Sequence, residues 1–345
     1  MASARRIAKL VAVLGAVAAI ALVAIPTALA AFGAKTQNEG DVVTAAADFT
    51  PPAITAAAIG KTIGGATGFV KQGGTYYVYA TVAADTGNPA SGIASIKANV
   101  AAVTAGQTAV ALVAGTYPAA GVTYDYRSAA LTAGATLAEG TKAFTVTAAD
   151  NAGNSKSLSA GVKVDNTPPK AADVQTANGG TTIGKAEEKD SITYTFSEPI
   201  EPESILAGWN GTATNVVVRM VDNGLLGIAT GNDELAINNA ANTAALPLGT
   251  VNMGGGEYVT SLLGGGLFGS IYFGATGTAS SMTMSGNTIT IILGTYSAES
   301  ILVGRATAAN AGSMIWTPAA TPYDRAANPM STTPVTQSGA AKKAF

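Results

Sequence analysis

The reading of the fold turns on residues 142–169, KAFTVTAADNAGNSKSLSAGVKVDNTPP. Phe144, Val146 and Ala148 alternate with Thr145 and Thr147, the period-2 pattern of a half-buried strand. Asp150-Asn151-Ala152-Gly153-Asn154 is a run of turn formers, after which Ala160, Val162 and Val164 resume the alternation. Asp165-Asn166-Thr167-Pro168-Pro169 ends it, because proline has no N–H to give a ladder and fixes φ. The stretch therefore reads as the closing hairpin of one domain and a stiff junction into the next. A looser copy lies near the C-terminus, where Ile315-Trp316-Thr317-Pro318 leads to Asp324-Arg325-Ala326-Ala327-Asn328. One closing motif used twice predicts two β domains in series.

Composition narrows the function classes. The 345 residues allow two cores. Charged residues make up 12% and aromatics 6%, with 41 glycines, which fits small-residue β-sandwiches better than disorder. A net charge of −2 gives no electrostatic case for nucleic acid. With no cysteine and no histidine, this chain forms no disulfide, Cys/His zinc site, Ser-His-Asp triad or Cys-His dyad. Carboxylate-only catalysis, Ser-Lys pairs and calcium sites remain open.

Residues 1–30 read as an export signal: Arg5, Arg6 and Lys9 precede an apolar run over residues 10–25, then Pro26 and Ala28-Leu29-Ala30 as a cleavage site. A retained anchor is the competing reading, since the run nearly spans a bilayer. This signal is the only membrane contact expected. In residues 31–49, Ala31-Phe32, Thr36, Asn38, Gly40 and Ala45-Ala46-Ala47 resemble the mature N-terminus of camelysin-type exported proteins, which implies delivery to biofilm fibres or the cell surface. The same composition suits an ordinary flexible mature N-terminus.

Thr50-Pro51-Pro52 mirrors Thr167-Pro168-Pro169, so a domain is expected after each: residues 50–165, a linker at 166–170, and residues 171–337. In the first, Tyr76, Val78, Ala80 and Val82 share one face against Tyr77, Tyr79 and Thr81. Further strands are expected at residues 94–103, 108–113, 122–126, 142–148 and 160–164, with turns at 85–89 and 133–134. About seven short strands with regular turns is the count of an immunoglobulin-like sandwich. Thr-Pro-Pro at entry, Ser91-Gly92-Ile93 after an aspartate turn, residues 144–154 at exit and Asp-Asn-Thr-Pro-Pro together resemble bacterial Ig-like domains of surface proteins. The Cys-Trp-Cys hallmark of antibody domains is absent.

In the second domain, Ile192, Tyr194 and Phe196 alternate with Ser191, Thr193 and Thr195, and Ser197-Glu198-Pro199-Ile200 follows. This is similar to Ig-like repeats whose early strand ends in a Phe-Ser-Glu-Pro phrase. Strands are also expected at residues 216–220, 235–237 and 288–293. The Gly-rich residues 253–277 are too long for a sandwich loop and read as an inserted hairpin. Residues 338–345 read as a polar tail. Leu246-Pro247-Leu248-Gly249-Thr250 has the wrong residue order for a sortase signal.

Calcium is the best-motivated chemistry, because hard cations take carboxylate and carbonyl oxygens. Asp85, Asp150, Asn154 and Asp165 sit in turns at the poles of the first domain, with Asp190, Asp324 and Asn328 as counterparts in the second. The same side chains equally serve as Asx caps of their turns. Glu198, Glu201 and Glu203 read as a solvated loop rather than a glycosidase pair. Tyr76, Tyr77, Tyr79, Tyr124 and Tyr126 read as sheet packing rather than a sugar platform. The expectation is an all-β, non-enzymatic bacterial protein of two tandem Ig-like sandwiches, exported to the cell surface or extracellular matrix. Its expected partners are surface or matrix proteins or further copies of itself. A carbohydrate-binding protein of a polysaccharide-processing system, with glycan partners, is the alternative.

Overall fold

The computed structural model describes residues 37–38, 41–42, 48–87, 89–223, 231–261 and 269–345. The export signal and the start of the mature segment lie outside the described residues. The protein is all-β. A short hairpin of Gln37–Asn38 (β1) and Asp41–Val42 (β2) comes first. Two larger units follow, each with its own core.

The first unit contains Ile54–Lys61 (β3), Phe69–Val70 (β4), Thr75–Val82 (β5), Ile93–Asn99 (β6), Val110–Ala119 (β7), Val122–Ser128 (β8), Leu131–Thr132 (β9), Gly140–Asp150 (β10) and Ser155–Val164 (β11). Hydrogen bonding runs β3-β5-β8-β7-β6-β10-β11-β4, with β9 on β5. β7 links the two halves, pairing with β6 at Ala111 and with β8 from Leu112 onward. The alternation in residues 142–148 places Phe144, Val146 and Ala148 in the core beside Tyr76, Val78, Val162 and Val164. The expected strand at 94–103 stops at Asn99, because residues 100–107 form turns. β3 has no sequence expectation: its alanines and glycine carry little periodic signal, yet Ile59 is fully buried.

The second unit contains Ala171–Ala177 (β12), Ser191–Phe196 (β13), Thr214–Val221 (β14), Glu234–Asn239 (β15), Ala245–Asn252 (β16), Val259–Ser261 (β17), Ser270–Phe273 (β18), Ser280–Ser285 (β19), Thr288–Ile292 (β20), Tyr296–Ala298 (β21), Val303–Arg305 (β22), Ile315–Thr317 (β23) and Val335–Thr336 (β24). Its main path is β12-β13-β20-β19-β14-β15-β16-β23-β24. Trp316 sits at the centre, edge-on to Tyr194 and Phe196 at 5.0 and 5.1 Å, and its indole N–H donates to Leu248 O at 2.7 Å. The Leu246–Thr250 pentapeptide lies inside β16.

Two expectations change here. The Gly-rich stretch is not a separate hairpin: β18 pairs with β14 and β21 in the main sheet, while β17 pairs with β22. Its residues 262–268 lie outside the described residues. The polar tail at 338–345 is exposed over residues 338–341 but ends inside the unit, since Phe345 is buried against Tyr258 and its N–H donates to Thr176 Oγ1. One apolar side chain outweighs the polar residues around it.

Candidate metal centres at the two domain poles

The turn Asp150–Asn154 is built by its own side chains. Asp150 continues the inward alternation of β10 and is buried. Its Oδ1 accepts the Asn154 N–H at 2.8 Å and its Oδ2 accepts Asn154 Nδ2 at 2.9 Å. Asn154 Nδ2 also donates to Asp48 O at 2.9 Å. This fastens the closing hairpin to the entry segment Asp48-Phe49-Thr50-Pro51-Pro52. The Asp48 carboxylate accepts the N–H groups of Thr50 and Ser91, both at 2.9 Å. Those backbone donors, Thr50 first, hold the Asp48 carboxyl below its usual range. Asp85 comes in from the loop after β5 and accepts the Gly92 N–H at 2.8 Å. Gly87 lies so close that a Cβ there would strike the Asp48 carboxylate.

The second unit repeats this construction. Asp324 Oδ1 accepts the Asn328 N–H at 2.8 Å, and Asp324 Oδ2 accepts Asn328 Nδ2 at 2.8 Å. Asn328 Nδ2 donates to Asp165 O at 2.9 Å, and the Thr167 N–H donates to Asp165 Oδ1. Glu198, two residues past β13, takes the place of Asp85. Entry Asp-x-Thr-Pro-Pro, an acid after the second long strand, and closing Asp-x-Ala-x-Asn are thus used twice.

Each set brings three carboxylates together. One oxygen from each of Asp48, Asp85 and Asp150 lies within 4.8 Å of the others, and the same holds for Asp165, Glu198 and Asp324. Two oxygens bound to one Ca²⁺ at about 2.4 Å are at most about 4.8 Å apart, so the spacing and the all-oxygen donor set fit a hard divalent cation. Electrostatics in the second set points the same way. Burial first, then the charges of Asp165 and Asp324, push Glu198 up to about 7, and burial raises Asp324.

The sequence expectation is thereby redistributed. Asp85, Asp150 and Asn154 meet at one pole, with Asn154 as the donor that braces the Asp150 carboxylate and the Asp48 carbonyl. Asp165 belongs to the other pole. Asp190 joins neither: it is buried and accepts the N–H groups of Gly179, Gly180 and Glu187, capping its own loop. Asp48 and Glu198 lie outside the sequence-based candidates. The signal for Asp48 was its place two residues before Thr-Pro-Pro's first proline partner Thr50, as Asp165 stands to Thr167.

The second pole lies against a joint between the units, and here the solvated-loop reading is corrected for Glu201, while Glu203 is exposed as expected and Glu198 is half-buried. Glu201 is buried, and its Oε2 accepts from Lys61 Nζ at 2.7 Å and from the Ala66 N–H at 2.8 Å. Lys71 Nζ reaches Ala327 O at 2.6 Å, and Arg325 lies over the Phe69 ring. A crevice of about 310 Å³ lined by Lys61, Ile63, Lys71 and Ala327 opens beside these contacts.

The tyrosines pack as expected of a sheet. Tyr79 and Tyr124 are buried on each other at 5.2 Å, and Arg127 fills the gap between the Tyr77 and Tyr117 rings at 4.2 and 4.4 Å. Their faces are taken by a cation of the chain itself.

No family model and no curated protein matches this chain. Among solved structures it is similar to dimeric latent PorU from Porphyromonas gingivalis, at 13% identity and a TM-score of 0.22. That match covers 72% of this chain and 20% of the other, and a likeness at this level carries no argument about fold family or function.

Proposed function

We propose that this chain is an exported bacterial structural protein of the cell surface or extracellular matrix, made of two immunoglobulin-like sandwiches that calcium stiffens at their poles. The observation that carries the reading is the repeated carboxylate trio, once at the outer pole of the first unit and once at the joint. Three carboxylates held this close repel one another, and a divalent cation offsets that repulsion while tying the entry segment, a loop and the closing hairpin together. At the joint the same ion would add to the Pro-Pro linker and the Lys61–Glu201 pair, so that the units behave as one rod. The role is mechanical, not enzymatic, and suits assembly with matrix proteins or further copies.

The test is calorimetric unfolding and terbium luminescence of residues 31–345, with calcium or with a chelator. Saturable binding at two sites, a raised melting temperature in calcium, and loss of one site each in Asp150→Asn and Asp324→Asn are expected. A melting curve indifferent to millimolar calcium, with no lanthanide signal, would overturn the calcium reading. Light scattering and electron microscopy of the same samples read assembly separately.

A further inference from the structure

We propose that the outer face of the second unit carries a subsite for an acidic saccharide, built on Arg219, Tyr272, Asn238 and Asn242. The place is a polar concavity of about 300 Å³ at the turn between β15 and β16, and none of the residues lining it belongs to either carboxylate trio. Arg219 and Tyr272 stand directly opposite each other on β14 and β18, and Asn238 faces Ala245 across β15 and β16. A bulge at Ile237 interrupts the β15–β16 register there, which re-aims the side chains after it.

Each group presents unused binding capacity. Arg219 donates from Nε and Nη2 to Ser270 Oγ, at 3.2 and 2.9 Å, which fixes the guanidinium in place. None of the ion pairs among the described residues involves it. Its terminal edge keeps two parallel N–H donors, the geometry that takes a carboxylate in bidentate fashion. Tyr272 is half-exposed, and among the described residues its ring packs against no other ring or cation, unlike Tyr77 and Tyr117. Asn238 Nδ2 donates to Asn242 Oδ1 at 2.8 Å, leaving one amide oxygen and one amide NH₂ for hydroxyls. The turn is rigid: Asn239 Oδ1 accepts the Thr243 N–H, and Asn242 sits at φ +55. Among the described residues, a guanidinium fork outside any ion pair, an aromatic face without a ring or cation on it and spare amide groups thus meet in one dent, and together they match a sugar ring bearing a carboxylate. A bare phosphate would use the arginine alone.

The test is titration of residues 31–345 with trigalacturonate in calcium-free buffer, which keeps the carboxylate trios from bridging protein and sugar. Saturable binding is expected, weakened about tenfold or more in Arg219→Ala and in Tyr272→Ala, and by less in Arg219→Lys, which keeps the charge without the fork. Tyr126→Ala should bind as the parent does. Cellotriose should not compete, and phosphate should compete only weakly. Three results would overturn the proposal: no saturation by about 10 mM, undiminished binding by the Arg219 variants, or displacement by phosphate with Tyr272→Ala unaffected, which marks a simple anion site. Melting temperatures equal to the parent's keep a folding defect from imitating a lost contact. The calcium reading stands or falls separately, since its variants lie at the poles.

Discussion

Replacing Lys61 by methionine removes one partner of a buried ion pair between the two units. The side chains are 4% and 5% exposed and meet at 2.7 Å. At an effective dielectric constant near 20 the attraction is about 6 kcal/mol, most of it offset by the cost of taking both charges out of water. Lys61→Met leaves the Glu201 carboxylate with only the Ala66 N–H, and an uncompensated buried charge costs about 3–5 kcal/mol. That loss is capped by the free energy of docking, because separation of the units returns Glu201 to water. The assay therefore pairs denaturant unfolding with small-angle scattering. Lys61→Met should either lose about 3–5 kcal/mol or lengthen as the joint opens. The double variant Lys61→Met/Glu201→Leu should recover most of the loss, because two apolar groups of similar size replace the pair. A single variant that loses under about 1 kcal/mol and keeps its dimensions would refute the reasoning. The carboxylate would then be reaching water in the closed state.

Glu198 gives a pH signature. Its folded value, near 7, lies above its ordinary 4.5, so the folded state binds the extra proton and stability falls as pH rises from about 4.5 to 7. The group is partly open to solvent, so the slope amounts to about 1 kcal/mol in chelator. Titration of unfolding in calcium should abolish that slope, and its persistence would count against an ion at the joint. Asp233, buried with Oδ1 unpartnered while Oδ2 accepts the Val259 N–H, is pushed up to about 7 by burial. Asp233→Asn should stabilise by about 1–3 kcal/mol above pH 7 and change little near pH 4, read from melting curves at the two pH values. Gly65→Ala should weaken the joint, since Gly65 has φ +78 and a Cβ would lie 2.5 Å from Glu201 Cδ. A loss of about 2 kcal/mol or an opened joint in scattering is expected, and a variant identical to the parent would contradict it.

What was legible in the sequence follows the strength of local signals. Strands with alternating apolar side chains, as in residues 144–148 and 192–196, stand out because each alternate position is buried. β3 and β16 do not, since alanine, glycine and an in-strand Pro247 dilute the pattern while partner strands supply the burial. Turn aspartates were visible as turn formers, but their grouping depends on segments about 35 to 160 residues apart being folded onto one another. Glu201 was the hardest case. Three glutamates interleaved with two prolines, Glu198-Pro199-Ile200-Glu201-Pro202-Glu203, look like solvent-facing charge, and nothing nearby in the chain announces that Lys61, 140 positions earlier, closes over Glu201.

The two features of the joint differ in how they were made. The trio is a repeated device: it is present at the first pole, where no preceding unit is described, as well as at the joint. Its primary task is therefore within each unit, pinning entry strand to closing hairpin. The ion pair is not repeated. Glu201 follows Glu198 by three residues, whereas the residue three after Asp85 is Asn88, and Lys61 follows Pro52 by nine, whereas the residue nine after Pro169 is Asn178. Neither counterpart carries charge, so the sequence repeats the trio but not this ion pair. The Lys61–Glu201 pair thus specifies which two units dock, while the carboxylate trio keeps each unit's pole in the shape that docking needs.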